Sequence, residues 1–158
     1  MTIQVGDSIP SLTIKTPSTD GPKEIAINEV FKGKKVVMFA VPGAFTPGCS
    51  NTHMPGFIVH ADSIKAKGVD TIACLAVNDA FVMGAWAESQ NADELLMLAD
   101  GNCELTEALG MVLDGYGAGL GKRSKRYAMI VEDGVVISLN IDDKGIEKST
   151  AENILQQL

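Results

Sequence analysis

An α/β fold with helices packed on a central mixed sheet is predicted by three features of the chain. Short apolar β-runs alternate with stretches of helical periodicity. A late Asp-Gly turn joins two β-branched runs, which adds antiparallel strands to the sheet. No repeat, low-complexity block or linker interrupts the 158 residues, so one domain over 1–158 is expected.

The elements follow in order. Residues 34–41 (KKVVMFAV) form a short apolar run expected to be a buried strand. From Cys49 to Lys67, Met54, Phe57, Ile58, Ala61 and Ile64 recur at near-helical spacing, and Gly68 supplies a stop. Pro55 inside that stretch should kink the helix or start a new segment. Residues 71–77 (TIACLAV) and 95–99 (LLMLA) give two more strands. Between them, 79–91 is a helix with Asn78 or Asp79 as N-cap. A further helix is expected over 104–111. Residues 127–141 form a hairpin turning at Asp133-Gly134. The last helix opens on the capping-box pattern Ser149-x-x-Glu152.

Composition narrows the function. Hydrophobic residues make up 46% and charged residues 21%, which suits an ordinary globular protein rather than a disordered or fibrous one. The net charge of −7, without a long basic run, disfavours nucleic acid and anionic membrane as partners. No apolar run approaches the roughly 20 residues that span a bilayer. The opening MTIQVGDSIP lacks the basic-then-apolar pattern of a signal peptide, so a cytoplasmic location is expected. Three cysteines, Cys49, Cys74 and Cys103, argue for reactive or buried thiols over structural disulfides.

The informative stretch is 41–57, VPGAFTPGCSNTHMPGF. It puts Cys49 at a strand-to-helix junction, in the first helical turn. Unpaired backbone N–H groups and the helix dipole favour an anion there, so a thiolate is preferred over a thiol. Ordinary thiols, with pKa about 8.5, are only a few per cent ionised at neutral pH, and such surroundings make the nucleophile abundant. Thr46 offers a hydroxyl within one turn, while Pro42 and Pro47 stiffen the approach and shield it from water.

The spacing Pro42-x-x-x-Thr46-x-x-Cys49 resembles the active-site signature of the peroxiredoxins. KAKGVDTIACLAVNDAFVMGAW, LMLADG and KRYAMIVEDG extend the resemblance to the type II, or fifth, subfamily over most of the chain. The resemblance implies a thioredoxin-like fold and reduction of hydrogen peroxide or alkyl hydroperoxides through a cysteine sulfenic acid, in the service of cell redox homeostasis. It carries the attacking thiol to Cys49, the threonine to Thr46, the proline to Pro42 and the arginine to Arg126. Arg126 would supply a fixed cation for the thiolate and the peroxide oxygens, with Arg123 as a supporting cation. A homodimer is implied, with 42–48 and 79–86 near the contact. No cofactor or metal is required, because the sulfur itself carries the electrons.

The chain departs from some relatives of that type. Lys148 stands near where a C-terminal resolving cysteine would lie. Cys74, 25 residues after Cys49, matches an alternative resolving position. It also reads as a plain buried residue sharing a strand face with Ile72 and Ala76. Turnover by an external thiol and a conditional Cys49–Cys74 bond both stay open. Glutathione with glutaredoxin is the preferred reductant and thioredoxin the second.

Other residues carry blander expectations. His53 shares a helix face with Cys49; a zinc pair is disfavoured for want of two more ligands, and tuning of hydrogen bonds or simple packing is expected. His60 reads as a surface residue, and Cys103 as an exposed bystander. Trp86 and Phe81 read as core or dimer surface, and the glycines of 115–121 as a flexible loop rather than a phosphate cradle. KRSKR (122–126) suits charge focusing on the site. Thr52 stands where a C-x-x-C oxidoreductase would have its second cysteine, which disfavours that class. A non-enzymatic redox sensor passing oxidation from Cys49 to a partner protein is the main alternative; a pure binding or chaperone role would survive Cys49→Ser.

Overall fold

The computed structural model describes all of residues 1–158. Its frame is a seven-stranded sheet in the order β2-β1-β5-β4-β3-β8-β9. The centre is β3 (Lys35–Val41), β4 (Thr71–Ala76) and β5 (Leu96–Ala99), three parallel strands matching the three apolar runs. On one side β8 (Arg126–Glu132) and β9 (Val135–Asp142) add the antiparallel hairpin. Asp133 and Gly134 turn it with φ of 48° and 80°, the positive values that an Asp-Gly turn tolerates. On the other side lie β1 (Thr13–Thr16) and β2 (Lys23–Ala26). The mixed sheet expected from the sequence is the one observed.

Strand alternation divides the core into two layers. Val37, Phe39, Val41, Ile72, Cys74, Ala76, Ala128 and Ile130 face the layer that holds Cys49, Phe57, Trp86 and Ile154. Val36, Met38, Ala40, Ala73, Leu75, Tyr127 and Met129 face the opposite layer with Phe31 and Leu105. The first layer is covered by α2 (Met54–Val59), α3 (Ala61–Ala66), α4 (Ala80–Gln90) and α6 (Ala151–Gln157); the second by α1 (Ile27–Phe31) and α5 (Glu104–Ala108). Cys74 thus shares its face with Ile72 and Ala76 as expected, and it points to the Cys49 side of the sheet.

Local chemistry explains where the structure departs from the sequence-based expectations. The helix expected over 49–67 is three pieces: a π-type turn at Cys49–His53, then α2, then α3. Pro55 has no N–H to give, and its ring crowds the carbonyl four residues back. The backbone widens instead, and Met54 N–H bonds the Cys49 carbonyl five residues earlier. The last helix is capped by Thr150, whose Oγ1 accepts from Asn153 N–H at 3.2 Å, because Ser149 is engaged elsewhere. Residues 115–121 are not a loose loop. They close a two-stranded hairpin of β6 (Val112–Gly115) and β7 (Gly121–Ser124) through a single 3-10 turn. Asp79, not Asn78, caps α4, accepting from Val82 N–H at 2.8 Å; Asn78 instead accepts from Ala44 N–H at 2.9 Å and ties the 42–48 turn to the end of β4.

Candidate functional site

The turn after β3 delivers Cys49. Helical backbone begins at Pro47, where a missing N–H costs nothing, and Cys49 follows within the first turn. Hydrogen bonds at Thr46 brace the turn. Thr46 Oγ1 donates to the Gly43 carbonyl at 2.7 Å, and the Thr46 carbonyl accepts from Ser50 N–H at 2.9 Å. Phe45 is held at φ 65°, a left-handed conformation that a bulky residue adopts only when its surroundings impose it. Since the Thr46 hydroxyl hydrogen is committed to Gly43, its remaining capacity is that of an acceptor.

Arg126 reaches this turn from the start of β8. Its Nη2 donates to Cys49 Sγ at 3.1 Å. Its Nη1 donates to His53 Nδ1 at 2.8 Å. His53 Nε2–H in turn donates to the Ser149 carbonyl at 2.9 Å. The imidazole is therefore neutral, protonated on Nε2, with its single lone pair turned to Arg126. The His53 pKa is lowered from 6.5 to about 4: burial is the main cause and the Arg126 charge adds to it, against the opposing pull of the Ser149 carbonyl and Asp142. Arg123 plays a separate part: Nε donates to the Leu120 carbonyl at 2.9 Å and Nη1 to the Pro42 carbonyl at 3.3 Å. It fastens β7 to the turn rather than meeting the sulfur.

Cys49 has no exposed surface, whereas Pro42, Thr46, Gly48 and Arg126 around it are half-buried. A cavity of about 160 Å³ opens beside them, lined by Pro42, Leu113, Lys125, Arg126, Asp142, Asp143, Lys144 and Gly145. A larger cleft of about 270 Å³, by Asp79, Phe81 and Asp100, shares no residue with the Cys49 cluster. Geometry therefore favours the smaller space.

The other expected residues fall as follows. Cys74 is free and fully buried, and burial, then the adjacent Cys49, push its pKa well up, so it is held as a thiol. Cys103 is not exposed as expected; it is 3% exposed. The buried Asp100 carboxylate accepts from Leu105 and Thr106 N–H groups and folds the turn inward over it. Burial raises the Cys103 pKa, as do Asp100 and Glu107. His60 is partly exposed and bonds Glu152 at 3.0 Å. Trp86 is core, with its indole N–H on Ser50 Oγ at 2.9 Å, while Phe81 is 70% exposed. The KRSKR run is divided: Lys122 pairs with Glu107, Arg123 with Pro42, and Arg126 with Cys49. Nothing in the local sequence defines a task for His53. Its spacing from Cys49 was the available signal, but its partner Arg126 lies 73 residues away.

A family model described as Redoxin matches residues 4–155. Peroxiredoxin-2E-2, chloroplastic, of Oryza sativa subsp. japonica is 49% identical over 164 residues, covering 99% of this chain and 73% of that protein. Peroxiredoxin-2E, chloroplastic, of Arabidopsis thaliana is 47% identical, with 99% and 69% covered. Among solved structures, reduced Prx3 of Vibrio vulnificus in complex with hydrogen peroxide superimposes with a TM-score of 0.95 at 54% identity, covering 99% of each chain. Peroxiredoxin 5 of Alvinella pompejana gives a TM-score of 0.86 at 38% identity, with 98% of this chain and 96% of that one covered. The seven-stranded frame is thus the thioredoxin-like fold that the resemblance implied.

Proposed function

This chain belongs to the peroxiredoxins, of type II, which are thiol-dependent peroxidases, and on that premise we propose that Cys49 is its attacking sulfur, with Arg126, Thr46 and Pro42 forming the peroxide site. The observation that carries this is the Arg126 Nη2 donor 3.1 Å from Cys49 Sγ in the first turn of a helix. A fixed cation and helix-start N–H groups stabilise a thiolate and the charge that spreads over the peroxide oxygens. The sulfur electron pair forms an S–O bond to the terminal peroxide oxygen as the O–O bond breaks. The departing oxygen takes up a proton, giving water or an alcohol, and the sulfur is left as a sulfenic acid. Thr46 accepts a hydrogen bond from the peroxide O–H and holds it in line. Pro42 walls the pocket and keeps water from the sulfur.

Burial of Cys49 under half-buried neighbours favours small peroxides over bulky ones. The Vibrio relative solved with hydrogen peroxide supports that substrate class. An external thiol then attacks the sulfenic acid, releasing water and leaving a mixed disulfide, which a second thiol resolves. The full burial of Cys74 as a thiol favours an external source, and with Lys148 where a C-terminal resolving cysteine would lie, glutathione with glutaredoxin is the preferred one and thioredoxin the second. The exposed Phe45 and Phe81, at 53% and 70%, suit a homodimer contact beside the site. An odd number of cysteines suits a reducing compartment, and a cytoplasmic location is part of this proposal.

Steady-state consumption of hydrogen peroxide, with each reducing system in turn, tests the reading. Wild type turns over faster with glutathione and glutaredoxin, and Cys49→Ser is inactive with both. Turnover by Cys49→Ser contradicts the assignment. A single oxidation without turnover in either system favours a sensor that hands its oxidation to another protein.

A further inference from the structure

The sulfur's cation is itself held by a chain of groups from outside the signature turn. It starts at the end of β9. There the Asp142 carboxylate accepts from the N–H groups of Glu147 (3.1 Å), Lys148 (2.9 Å) and Ser149 (2.9 Å) and from Ser149 Oγ (2.7 Å). These bonds lower the Asp142 pKa although burial acts the other way. They wrap 143–149 into a fixed loop and aim the Ser149 carbonyl at His53 Nε2–H. The His53 ring packs against Phe39 and Phe57, at centroid distances of 5.1 and 5.6 Å, so it cannot swing freely. Its lone pair then faces Arg126 Nη1, and the same guanidinium presents Nη2 to Cys49.

We propose that His53, oriented by Ser149 and Asp142, is a positioning residue that fixes the Arg126 guanidinium against Cys49. The assignment rests on the reading of Cys49 as the attacking sulfur. A planar guanidinium on a long stem has many rotamers, and one anchored N–H pair selects the rotamer whose other edge meets the sulfur. Without an acceptor at the Nδ1 position, Arg126 turns toward solvent in the neighbouring cavity for part of the time. Peroxide attack slows although every group that touches the peroxide is still present. His53 does not touch substrate, and the charged groups facing it are Arg126 and Asp142.

The second-order rate constant for peroxide with the reduced protein, without any recycling system, isolates this step. His53→Leu removes both of the ring's bonds and is expected to lower the constant about 10- to 100-fold. His53→Asn keeps an acceptor near the Nδ1 position and should recover at least half of that loss on a logarithmic scale. Combining His53→Leu with Arg126→Ala should cost no more than Arg126→Ala alone, a non-additivity that simple core packing does not produce. If His53→Leu does not fold, Ser149→Ala and Asp142→Asn replace it; each should slow the reaction less than Arg126→Ala and lose its effect in the Arg126→Ala background. Additive effects, or wild-type rates in the His53 variants while Arg126→Ala is slow, overturn the proposal alone. Wild-type rates in both Arg126→Ala and Cys49→Ser would overturn the underlying site assignment instead.

Discussion

Replacing Arg126 by alanine tests the electrostatics of the site through a magnitude fixed by its geometry. The side chain makes one charge-assisted bond to the sulfur at 3.1 Å and one to His53 at 2.8 Å. Hydrogen bonds to charged groups contribute about 1.5–3 kcal/mol, or roughly 10- to 150-fold in rate if the bond is made fully in the transition state. Removing one preorganised donor to a developing charge costs about 10²–10³-fold in other enzymes. The expected fall in the peroxide rate constant is therefore about two to three orders of magnitude. Arg126→Lys keeps the charge but cannot serve the sulfur and His53 together, so it should fall between alanine and wild type. The alanine variant also strands the His53 lone pair, which should destabilise the fold by about 1–3 kcal/mol. Stopped-flow fluorescence is the natural assay, because Trp86, the single tryptophan, bonds the Ser50 hydroxyl next to Cys49. A folded Arg126→Ala protein reacting within about threefold of wild type would refute the electrostatic argument.

Other expectations follow from the same contacts. The unfolded chain protonates His53 near pH 6.5, whereas the folded state keeps it neutral down to about 4. His53 therefore costs no stability above pH 6.5, and stability falls as pH drops toward 4, by about 3 kcal/mol from this group; denaturant titrations should show this slope in wild type and a flatter one in His53→Asn. Thr46→Val frees the Gly43 carbonyl and removes the peroxide acceptor, so stopped-flow should show a loss of at least tenfold. Cys74→Ser and Cys103→Ser should leave the first oxidation within about twofold of wild type, because neither thiol is bonded to Cys49. Gly43→Ala places a methyl group 2.7 Å from Arg123 Nη1 and 3.1 Å from Thr46 Cγ2, which displaces Arg123 from the Pro42 carbonyl and should lower both Tm and the peroxide rate.

The parts legible in the sequence are those encoded by local pattern. The three central strands are continuous apolar runs, and Asp133-Gly134 marks its own hairpin. Cys49 announces itself through the Pro/Gly turn between strand and helix. What escaped depends on distant partners or on short polar elements. β1 and β2 are four residues each, carry Lys15, Lys23 and Glu24, and lie toward one side of the sheet, so no strong period marks them. Cys103 looked exposed among Asp100, Gly101 and Asn102 because nothing local reveals that Asp100 turns inward to cap α5. Ser149 looked like a cap because its spacing to Glu152 is right, yet the carboxylate of Asp142 claims it across the loop. His53 is the instructive case: the turn that carries it was readable, but its task exists only once β8 and the 143–149 loop meet it in space.

The sulfur that a peroxide oxidises first identifies the attacking residue. Reduced protein treated with one equivalent of hydrogen peroxide, trapped at once with dimedone and mapped by peptide mass spectrometry, answers that directly. The adduct is predicted on Cys49, with Cys74 and Cys103 unmodified. A trapped sulfenic acid on either of those two, with Cys49 still a thiol, would contradict it.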